Sequence, residues 1–384
     1  MLEGVNVALG VTGSIAAVKT VELAHELRRH GASVRAVMTQ SAQGIIHPWS
    51  LEYATQQPVV TEITGKVEHV ELCGYDGWAD VLLIAPGTAN SVGKIANAVD
   101  DTPVTTCATT ALGSGIPVVI APAMHEPMYD HPGVLEAIEK VESWGVHFVS
   151  PRIEEGKAKI ATKDTIALAL ARHVTPSPLS GKRVVVTSGG TSEAVDPVRV
   201  IANRSSGKTG RSVARALYTK GADVTLVHDG PDVPYADIVR VETAAEMLDA
   251  VMDAAETADA LISVAAISDY TVETSDEKIR SKQDDLSLSL VPTPKLIDSV
   301  RKAHPDLTIV GFKAESDGTD DALIEKAREI LTRADLSFVV ANDASVMGQD
   351  ETRALIVREH SARVFEGEKT ALGVCVAEEL ETEL

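Results

Sequence analysis

The chain has 384 residues, of which 44% are hydrophobic and 24% charged, a composition typical of globular proteins. It is longer than an ordinary domain with a single hydrophobic core. Its 56 acidic and 35 basic residues give a net charge of −21, which argues against nucleic acid as the main partner. The acidic excess is dispersed along the chain and aromatic content is 3%, a pattern that favours adaptation to high salt over an ordinary acidic surface.

The cysteines and the N-terminus indicate where the protein works. Cys73, Cys107 and Cys375 lack metal-ligand spacing and cannot form a disulfide framework. The chain enters a predicted strand at residues 5–9 without a signal sequence, and no apolar run reaches membrane-spanning length. We therefore expect a cytoplasmic protein with no membrane partner.

Residues 1–174 alternate short β-branched runs with amphipathic stretches, the pattern of a parallel sheet covered by helices. The predicted strands are residues 5–9, 33–38, 81–85 and 117–120. The predicted helices are residues 15–30, 89–98 and 132–143.

Residues 175–181 contain two prolines and small polar residues, the composition of a linker, and the alternation restarts after them. The predicted strands of this second half are residues 184–187, 223–228, 260–264, 307–312 and 337–341. The predicted helices lie near residues 207–220, 243–257, 294–303 and 319–333, followed by a hairpin (354–358 and 362–365) and a last helix. We predict an α/β protein with two tandem doubly wound Rossmann-like domains, residues 1–174 and 182–384, joined by a linker at 175–181.

The second domain opens with two glycine-bearing turns. The run at residues 184–187 leads into Gly189-Gly190-Thr191, and residues 203–210 form a second turn that begins a helix. Bare backbone N–H groups and a helix N-terminus attract anions, so this segment predicts a site for a polyphosphate or a phosphorylated substrate.

Three strand ends of the first domain carry hydroxyl or amide side chains, at residues 10–17, 38–41 and 85–90. Each alone is more simply explained as a helix cap, but the carboxyl ends of parallel strands converge at one edge of the sheet. Together they favour a mononucleotide site. A nicotinamide-dependent Rossmann oxidoreductase is disfavoured, because a complete GxGxxG motif and an acidic ribose partner are missing.

The segments VTGSIAAVKT (11–20), APGTANSVGKIANAVDD (85–101) and PAMHEPMY (122–129) resemble the homo-oligomeric flavin-containing Cys decarboxylases, which bind FMN. The resemblance implies a flavodoxin-like flavoprotein domain. It places His69, in VEHVEL (67–72), on the active-site histidine of that family. The implied FMN-binding residues are Gly13, Ser14, Ile15, Thr39, Ser41, Thr88 and Asn90.

The implied chemistry explains the need for a flavin. A carboxylate beside a CH–NH group has no electron sink, and oxidation of the neighbouring CH2–SH to a thioaldehyde supplies one. Loss of carbon dioxide then gives an ene-thiol, which the reduced flavin saturates. His69 would act as the base for the thiol or the adjacent carbon.

Two positions depart from the bacterial members of this family. His125 stands where they have asparagine, and we expect it to bind the substrate carboxylate. The flap region 154–159 lacks their proton-donating cysteine, as in the archaeal branch. Lys157 or Lys159 would contact the substrate phosphate or replace the acid, with solvated flap charges as the alternative.

Residues 184–210, together with VAAISDYTVETSDEKIRSK (264–282), VPTPKLI (291–297), VGFKAES (310–316) and VANDAS (340–345), resemble the phosphopantothenate–cysteine ligases. This match covers nearly all of residues 182–384. The whole chain therefore resembles the bifunctional decarboxylase/ligase family of coenzyme A synthesis.

The ligase resemblance implies roles for individual residues. Lys278 falls on the catalytic lysine in a flexible loop, Asn203 on the asparagine that holds the acyl-nucleotide, and Arg199 would engage the substrate phosphate or carboxylate. Mg2+ or Mn2+ would help to stabilise the phosphoryl charge, with its ligands unassigned. The implied nucleotide-binding residues are Ser205, Gly207, Gly210, Ala265, Ala266, Asp269, Lys278, Pro294, Phe312 and Lys326.

The resemblance also implies the reactants. The ligase would join cysteine to 4′-phosphopantothenate with CTP, and the flavoprotein would decarboxylate the product; ATP is the alternative co-substrate, because residues 312–315 differ from bacterial sequences. A homo-oligomer is expected, with trimeric decarboxylase units, FMN near a subunit interface and dimeric ligase units that together build a dodecamer.

Two alternatives concern the first domain. It has the fold expected of a flavin prenyltransferase, against which His69 and the fused ligase argue. It is also compatible with a flavin-binding domain that has lost or altered decarboxylase activity. His69, Asn203 and Lys278 favour catalysis, and the missing flap cysteine keeps the latter alternative open.

Overall fold

A computed structural model describes residues 1–154, 157–280, 286–315, 319–343 and 351–384. The chain divides into two compact units, Met1–Pro176 and Ser177–Leu384. Within the described ranges, none of the helices combines the length and the apolar character that a membrane crossing requires.

The first unit alternates strands and helices, with a 3-10 turn at Ile15–Lys19. Its strands are β1 (Asn6–Val11), β2 (Ser33–Met38), β3 (Val81–Gly87), β4 (Val118–Pro122), β5 (Met124–His125), β6 (His147–Phe148), β7 (Arg152–Glu154) and β8 (Lys157–Lys159). Its helices are α1 (Thr20–Arg29), α2 (Gln40–Gln43), α3 (Pro48–Thr55), α4 (Glu68–Cys73), α5 (Ala89–Ala96), α6 (Pro103–Ser114), α7 (Glu126–Tyr129), α8 (Pro132–Glu142) and α9 (Lys163–Val174).

The main sheet of this unit is parallel, in the order β2-β1-β3-β4-β6. Helices α1, α3 and α9 cover one face, and α4, α5, α6 and α8 cover the other, so β3 is buried along its whole length. This confirms the predicted doubly wound sheet. The strand order reverses between β1 and β3, which opens a crevice at their carboxyl ends.

The helix predicted at residues 15–30 is divided. Ser14 accepts a hydrogen bond from the Ala16 N–H at the start of the 3-10 turn, and α1 begins only at Thr20. Helix α6 is absent from the prediction although its start signals are present: Thr102 and Thr105 form a capping box, and Pro103 occupies the first turn.

The second unit begins with the predicted strand–turn segment. Its strands are β9 (Arg183–Thr187), β10 (Ser192–Asp196), β11 (Arg199–Ala202), β12 (Asp223–His228), β13 (Asp237–Arg240), β14 (Ala260–Ser263), β15 (Tyr270–Val272), β16 (Leu290–Pro292), β17 (Thr308–Glu315), β18 (Phe338–Asp343), β19 (Glu351–Val357) and β20 (Ala362–Glu368). Its helices are α10 (Lys208–Thr219), α11 (Ala244–Ala255), α12 (Leu296–Ala303), α13 (Asp320–Ala334) and α14 (Lys369–Glu381).

The large sheet has the order β13-β12-β9-β14-β17-β18-β19-β20. The first six strands are parallel, and β19 and β20 add the predicted antiparallel hairpin. Helices α10 and α14 pack on one face and α11, α12 and α13 on the other. This sheet also reverses its order next to its first strand, between β9 and β14, where a second crevice opens.

The segment 184–210 differs from its prediction. The sequence suggested two turns leading directly from a strand to a helix, whereas the structure inserts the antiparallel hairpin β10–β11 between them. Pro197 follows β10 at the turn of this hairpin, because its fixed φ and missing N–H suit a turn and not a strand interior.

Candidate functional site

A first cavity of about 420 Å3 lies at the carboxyl ends of β1, β2, β3 and β4. The predicted convergence of strand ends is therefore present. The residues predicted from the sequence that line this cavity are Gly13, Ser14, Thr39, Ser41, Thr88, Asn90 and His125.

Four side chains that line the first cavity cap the helices or turns that follow them. Ser14 caps the 3-10 turn, Thr39 accepts from the Ala42 N–H at 3.2 Å, and Thr88 accepts from the Ser91 N–H at 3.2 Å. Thr102 caps α6 in the same way. Helix N-termini with hydroxyl groups bind anions well, so this wall suits a phosphate.

Close contacts between the strand-end turns shape the cavity. A Cβ atom on Gly13 would lie 2.4 Å from Ser41 Cβ, so only glycine allows the turns after β1 and β2 to approach this closely. The Thr12 hydroxyl donates to the Pro86 carbonyl at 2.6 Å and ties the turn after β1 to the end of β3.

Apolar side chains also line the first cavity. Met124 and Met128 line it beside the hydroxyl groups, and Lys94 is paired with Asp101 at 2.7 Å. His125 is the N-cap residue of α7, where its side chain makes no capping hydrogen bond, and it pairs in register with Lys157 of β8. Strand β8, in the predicted flap region, therefore runs beside His125; the side chain of Lys157 lies outside the described residues.

Two residues predicted for the decarboxylase site, His69 and Ile15, do not line the first cavity. His69 is half-buried on α4 and does not line the cavity; its Nδ1 is buried and, within the described residues, has no hydrogen-bond partner. Val67, which caps this helix, has φ 50°, a costly conformation for a β-branched residue. Ile15 is 78% exposed and also lies outside the cavity.

A second cavity of about 370 Å3 lies at the carboxyl ends of β9, β14, β17 and β18. Most of the residues predicted for the nucleotide line it. They are Ser205, Gly207, Gly210, Ala265, Ala266, Asp269, Pro294 and Phe312, and Asn203, predicted to hold the acyl-nucleotide, lines the cavity as well.

Hydrogen bonds between neighbouring strand ends fix the floor of the second cavity. Thr187 Oγ1 accepts from the N–H groups of Val264 and Ala265 at 3.1 Å each. The Asn203 amide donates to the Ala266 carbonyl at 3.1 Å, and Gly207, with φ +65°, begins α10. Small residues at 265 and 266 leave room for a ligand against the backbone.

Two predicted nucleotide residues have partners within the fold. Asp269 pairs with Lys295 Nζ at 2.5 Å; both side chains are mostly exposed, so the pair stabilises little and a ligand can displace it. Phe312 is half-buried, packs against the core on the α10/α14 face and also lines the cavity.

Arg199, Lys278 and Lys326 do not line the second cavity. Arg199 pairs with Asp196 and donates to the Ile279 carbonyl at 3.0 Å. Lys278 is exposed beside Ile279, and Lys326 is exposed on α13.

Asp196 holds the segment that carries Lys278. Its fully buried side chain accepts from the backbone N–H groups of Val198, Arg199 and Ile279 at 2.8, 2.9 and 3.1 Å. Burial alone raises the pKa of Asp196, but these hydrogen bonds and the Arg199 guanidinium outweigh it and keep the pKa below its usual value.

Several residues that line the second cavity were not predicted from the sequence. Lys295 and Asn342 lie inside the motifs VPTPKLI and VANDAS but had no assigned role. Lys369, 8% exposed at the start of α14, had no local signal, because only the fold brings the C-terminal helix to this edge of the sheet.

Both units of the chain match families of known proteins. Residues 1–175 match the model of the family described as Flavoprotein, and residues 179–383 match the DNA/pantothenate metabolism flavoprotein C-terminal domain. The "Coenzyme A biosynthesis bifunctional protein CoaBC" of Thermococcus kodakarensis is 47% identical over 94% of this chain and 91% of its own length. The protein of the same name from Methanocaldococcus jannaschii is 36% identical over 99% of this chain and 94% of its own.

Among solved structures, "The Crystal Structure of the DNA/Pantothenate Metabolism Flavoprotein from Streptococcus pneumoniae" covers 53% of this chain and 99% of itself, with a TM-score of 0.48 and 27% identity.

Proposed function

This chain belongs to the family of bifunctional coenzyme A biosynthesis proteins and is a phosphopantothenoylcysteine decarboxylase and phosphopantothenate–cysteine ligase; we propose that residues 1–174 carry the decarboxylase and residues 182–384 the ligase. The ligase makes the amide between 4′-phosphopantothenate and cysteine. The decarboxylase then consumes that amide, so the two units act in the reverse of their order along the chain.

The first cavity is the proposed flavin site. The observation that carries this assignment is the convergence of capped strand-end turns on one cavity, which Met124 and Met128 also line. The residues that would hold FMN are Gly13, Ser14, Thr39, Ser41, Thr88 and Asn90. When bound, FMN supplies the two-electron oxidation and reduction that make the cysteinyl carboxylate labile.

The chain's own residues bind the substrate and move its protons. His125 lines the cavity beside the flap strand and is proposed to bind the substrate carboxylate. His69 is proposed to take the proton from the cysteinyl CH–SH group. Because His69 lies outside the cavity of its own chain, it reaches a flavin site only if another copy completes that site.

We therefore propose a homo-oligomer whose first units share their sites. Several large apolar side chains of this unit are exposed, including Ile15 (78%), Trp49 (73%) and Tyr53 (77%), and burial against another copy would stabilise them. Trimeric first units and dimeric second units are the proposed arrangement. Mixing an inactive His69 variant with an inactive flavin-site variant tests it: shared sites restore activity in the mixed oligomer, and unshared sites do not.

The second cavity is the proposed ligase site. A carboxylate oxygen of 4′-phosphopantothenate attacks the α-phosphorus of the nucleotide, and the bond to pyrophosphate breaks. The cysteine amine then attacks the acyl carbon, and the nucleoside monophosphate leaves. The turn at residues 203–210 would hold the phosphates, and Asn203 the acyl-nucleotide.

Charge on the phosphoryl oxygens needs a cation at the second cavity. Lys278 is proposed to supply it, together with Mg2+ or Mn2+. Lys278 is exposed on a segment that Asp196 and Arg199 anchor to the hairpin β10–β11. It therefore lies near this hairpin and does not line the second cavity. Both anchoring contacts of Arg199 come from Nη1, so a contact with substrate would use its other guanidinium N–H groups.

We propose CTP as the co-substrate and ATP as the competing possibility. The test is release of pyrophosphate from purified protein supplied with 4′-phosphopantothenate, cysteine, Mg2+ and either nucleotide, at low and at high salt. The same preparation should be yellow with an FMN spectrum. Pyrophosphate release with CTP and the flavin spectrum support the proposal; a colourless protein that is inert with both nucleotides overturns it.

A further inference from the structure

The peptide between Ser206 and Gly207 is held by a side chain that does not line the second cavity. Arg211, in the first turn of α10, donates from Nη2 to the Ser206 carbonyl at 3.0 Å. Ser206 and Gly207 line the cavity, whereas Arg211 does not. The carbonyl and the following N–H of a trans peptide point in opposite directions, so the Gly207 N–H points away from the Arg211 guanidinium.

The Ser188 hydroxyl holds the next peptide, between Gly207 and Lys208. Ser188, which is 1% exposed and follows β9, donates from Oγ to the Gly207 carbonyl at 3.0 Å. A Cβ atom on Gly210 would lie 2.5 Å from Ser188 Oγ, so the glycine allows α10 to approach close enough for this bond. By the same peptide geometry, the N–H that follows Gly207 points away from Ser188.

The arginine side chain and the glycine turn fit each other. Arg211 Nη1 lies 2.7 Å from the position that a Cβ atom on Gly207 would take, and φ of Gly207 is +65°. Any other residue at 207 would be strained and would displace the guanidinium. Arg211 also borders Gly230, where a Cβ atom would lie 3.4 Å from Nη1.

We propose that Arg211 and Ser188 are positioning residues for the phosphates of the nucleotide. They bind the carbonyls of Ser206 and Gly207 on the far side of the turn, so that the following N–H groups face the cavity and form an anion cradle. Neither residue contacts the nucleotide; both act through the backbone. This inference rests on the proposed ligase function of the second unit.

The test compares Arg211→Met and Ser188→Ala with the wild-type protein by steady-state kinetics of pyrophosphate release. Each loss of a charge-assisted or buried hydrogen bond should raise the KM for CTP, about tenfold for Arg211→Met and about threefold for Ser188→Ala. The KM for cysteine should not change. Arg215→Met, one turn further along α10, is the matched control and should keep the wild-type KM for CTP.

Salt dependence separates positioning from simple attraction of a polyanion. High salt screens the attraction between exposed charges and a polyanion, but it does not replace a hydrogen bond that orients the backbone. The positioning role therefore predicts that both variants keep their raised KM for CTP at 1 M KCl. An Arg211→Met effect that vanishes at 1 M KCl, or a Ser188→Ala variant with the wild-type KM, overturns the inference. A wild-type protein that releases no pyrophosphate at all would instead overturn the proposed function.

Discussion

At the scale of single residues, the proposed catalytic groups are held in different ways. Asn203 is fixed by its hydrogen bond to Ala266 at the floor of the second cavity. Lys278 is exposed on a segment whose neighbour Ile279 is anchored by Asp196. A fixed asparagine suits the proposed binding of an intermediate, whereas the exposed lysine does not line the second cavity.

His69 and Lys278 give a reciprocal prediction. His69→Asn should abolish release of carbon dioxide from 4′-phosphopantothenoylcysteine and leave pyrophosphate release unchanged, because asparagine cannot take up the proton. Lys278→Gln should lower pyrophosphate release by at least about 100-fold and spare decarboxylation, since a donor to phosphoryl charge is removed.

Both activities of each variant are measured on the same preparation, with flavin content and thermal unfolding as controls for folding. Loss of both activities in either single variant would contradict independent sites.

Residues that follow strand ends could be located from the sequence, because turn chemistry and the convergence of parallel strands are both local rules. Gly13, Thr39 and Thr88 were found in this way. Arg211 and Ser188 could not be found, since they act behind the turn through contacts that only the packed helix α10 creates. The functional roles of the located residues stay predictions.

At the scale of elements, most of the parallel strands were predicted with ends within three residues, because β-branched runs buried on both faces give a strong signal. The short parallel strands β6 and β13 were not predicted. The hairpin β10–β11 was not predicted, since its strands are short and partly polar. Helix α6 was missed because its threonine-rich sequence has a weak amphipathic pattern, although its capping residues marked the start.

The contact between β6 and α9 predicts acid sensitivity. The rings of His147 and His173 are 4.1 Å apart, and burial, with the neighbouring His147 and Arg172, lowers the pKa of His173 to about 4. The unfolded chain, with a histidine pKa of about 6.5, therefore takes up the proton first. Stability should be complete above about pH 6.5 and fall progressively as the pH approaches 4.

Thermal unfolding of the full chain between pH 7 and pH 5 measures this loss. His173→Gln cannot titrate and should show a shallower fall in Tm over the same range. An equally steep fall in the variant would assign the acid sensitivity to other groups.

The contact between α10 and α14 predicts a steric requirement. A Cβ atom on Gly373 would lie 2.4 Å from the Ser212 carbonyl oxygen, which is backbone and cannot rotate away. Gly373→Ala should destabilise the second unit by about 1–3 kcal/mol through overpacking, even though alanine favours helix by about 1 kcal/mol.

Denaturant unfolding measures this change, with Val374→Ala at the neighbouring exposed position as the control. A Gly373→Ala variant as stable as the wild-type protein would show that the two helices can separate without cost.

At the scale of the whole molecule, the net charge of −21 acts on stability more than on fold. Repulsion among dispersed acidic groups disfavours the compact state, and salt screens it: the Debye length falls from about 10 Å at 0.1 M to about 3 Å at 1 M. We expect Tm to rise as KCl is raised from 0.1 to 1 M. A constant or falling Tm would argue against the proposed adaptation to high salt.

Membership of the bifunctional family means that one chain performs two consecutive reactions on one substrate. The most direct measurement supplies purified protein with 4′-phosphopantothenate, CTP, Mg2+ and cysteine labelled at its carboxyl carbon, and follows pyrophosphate and labelled carbon dioxide together. The predicted result is release of both, with carbon dioxide following pyrophosphate after a lag and reaching an equal amount. Pyrophosphate without labelled carbon dioxide, or neither product, would contradict two consecutive activities in this chain.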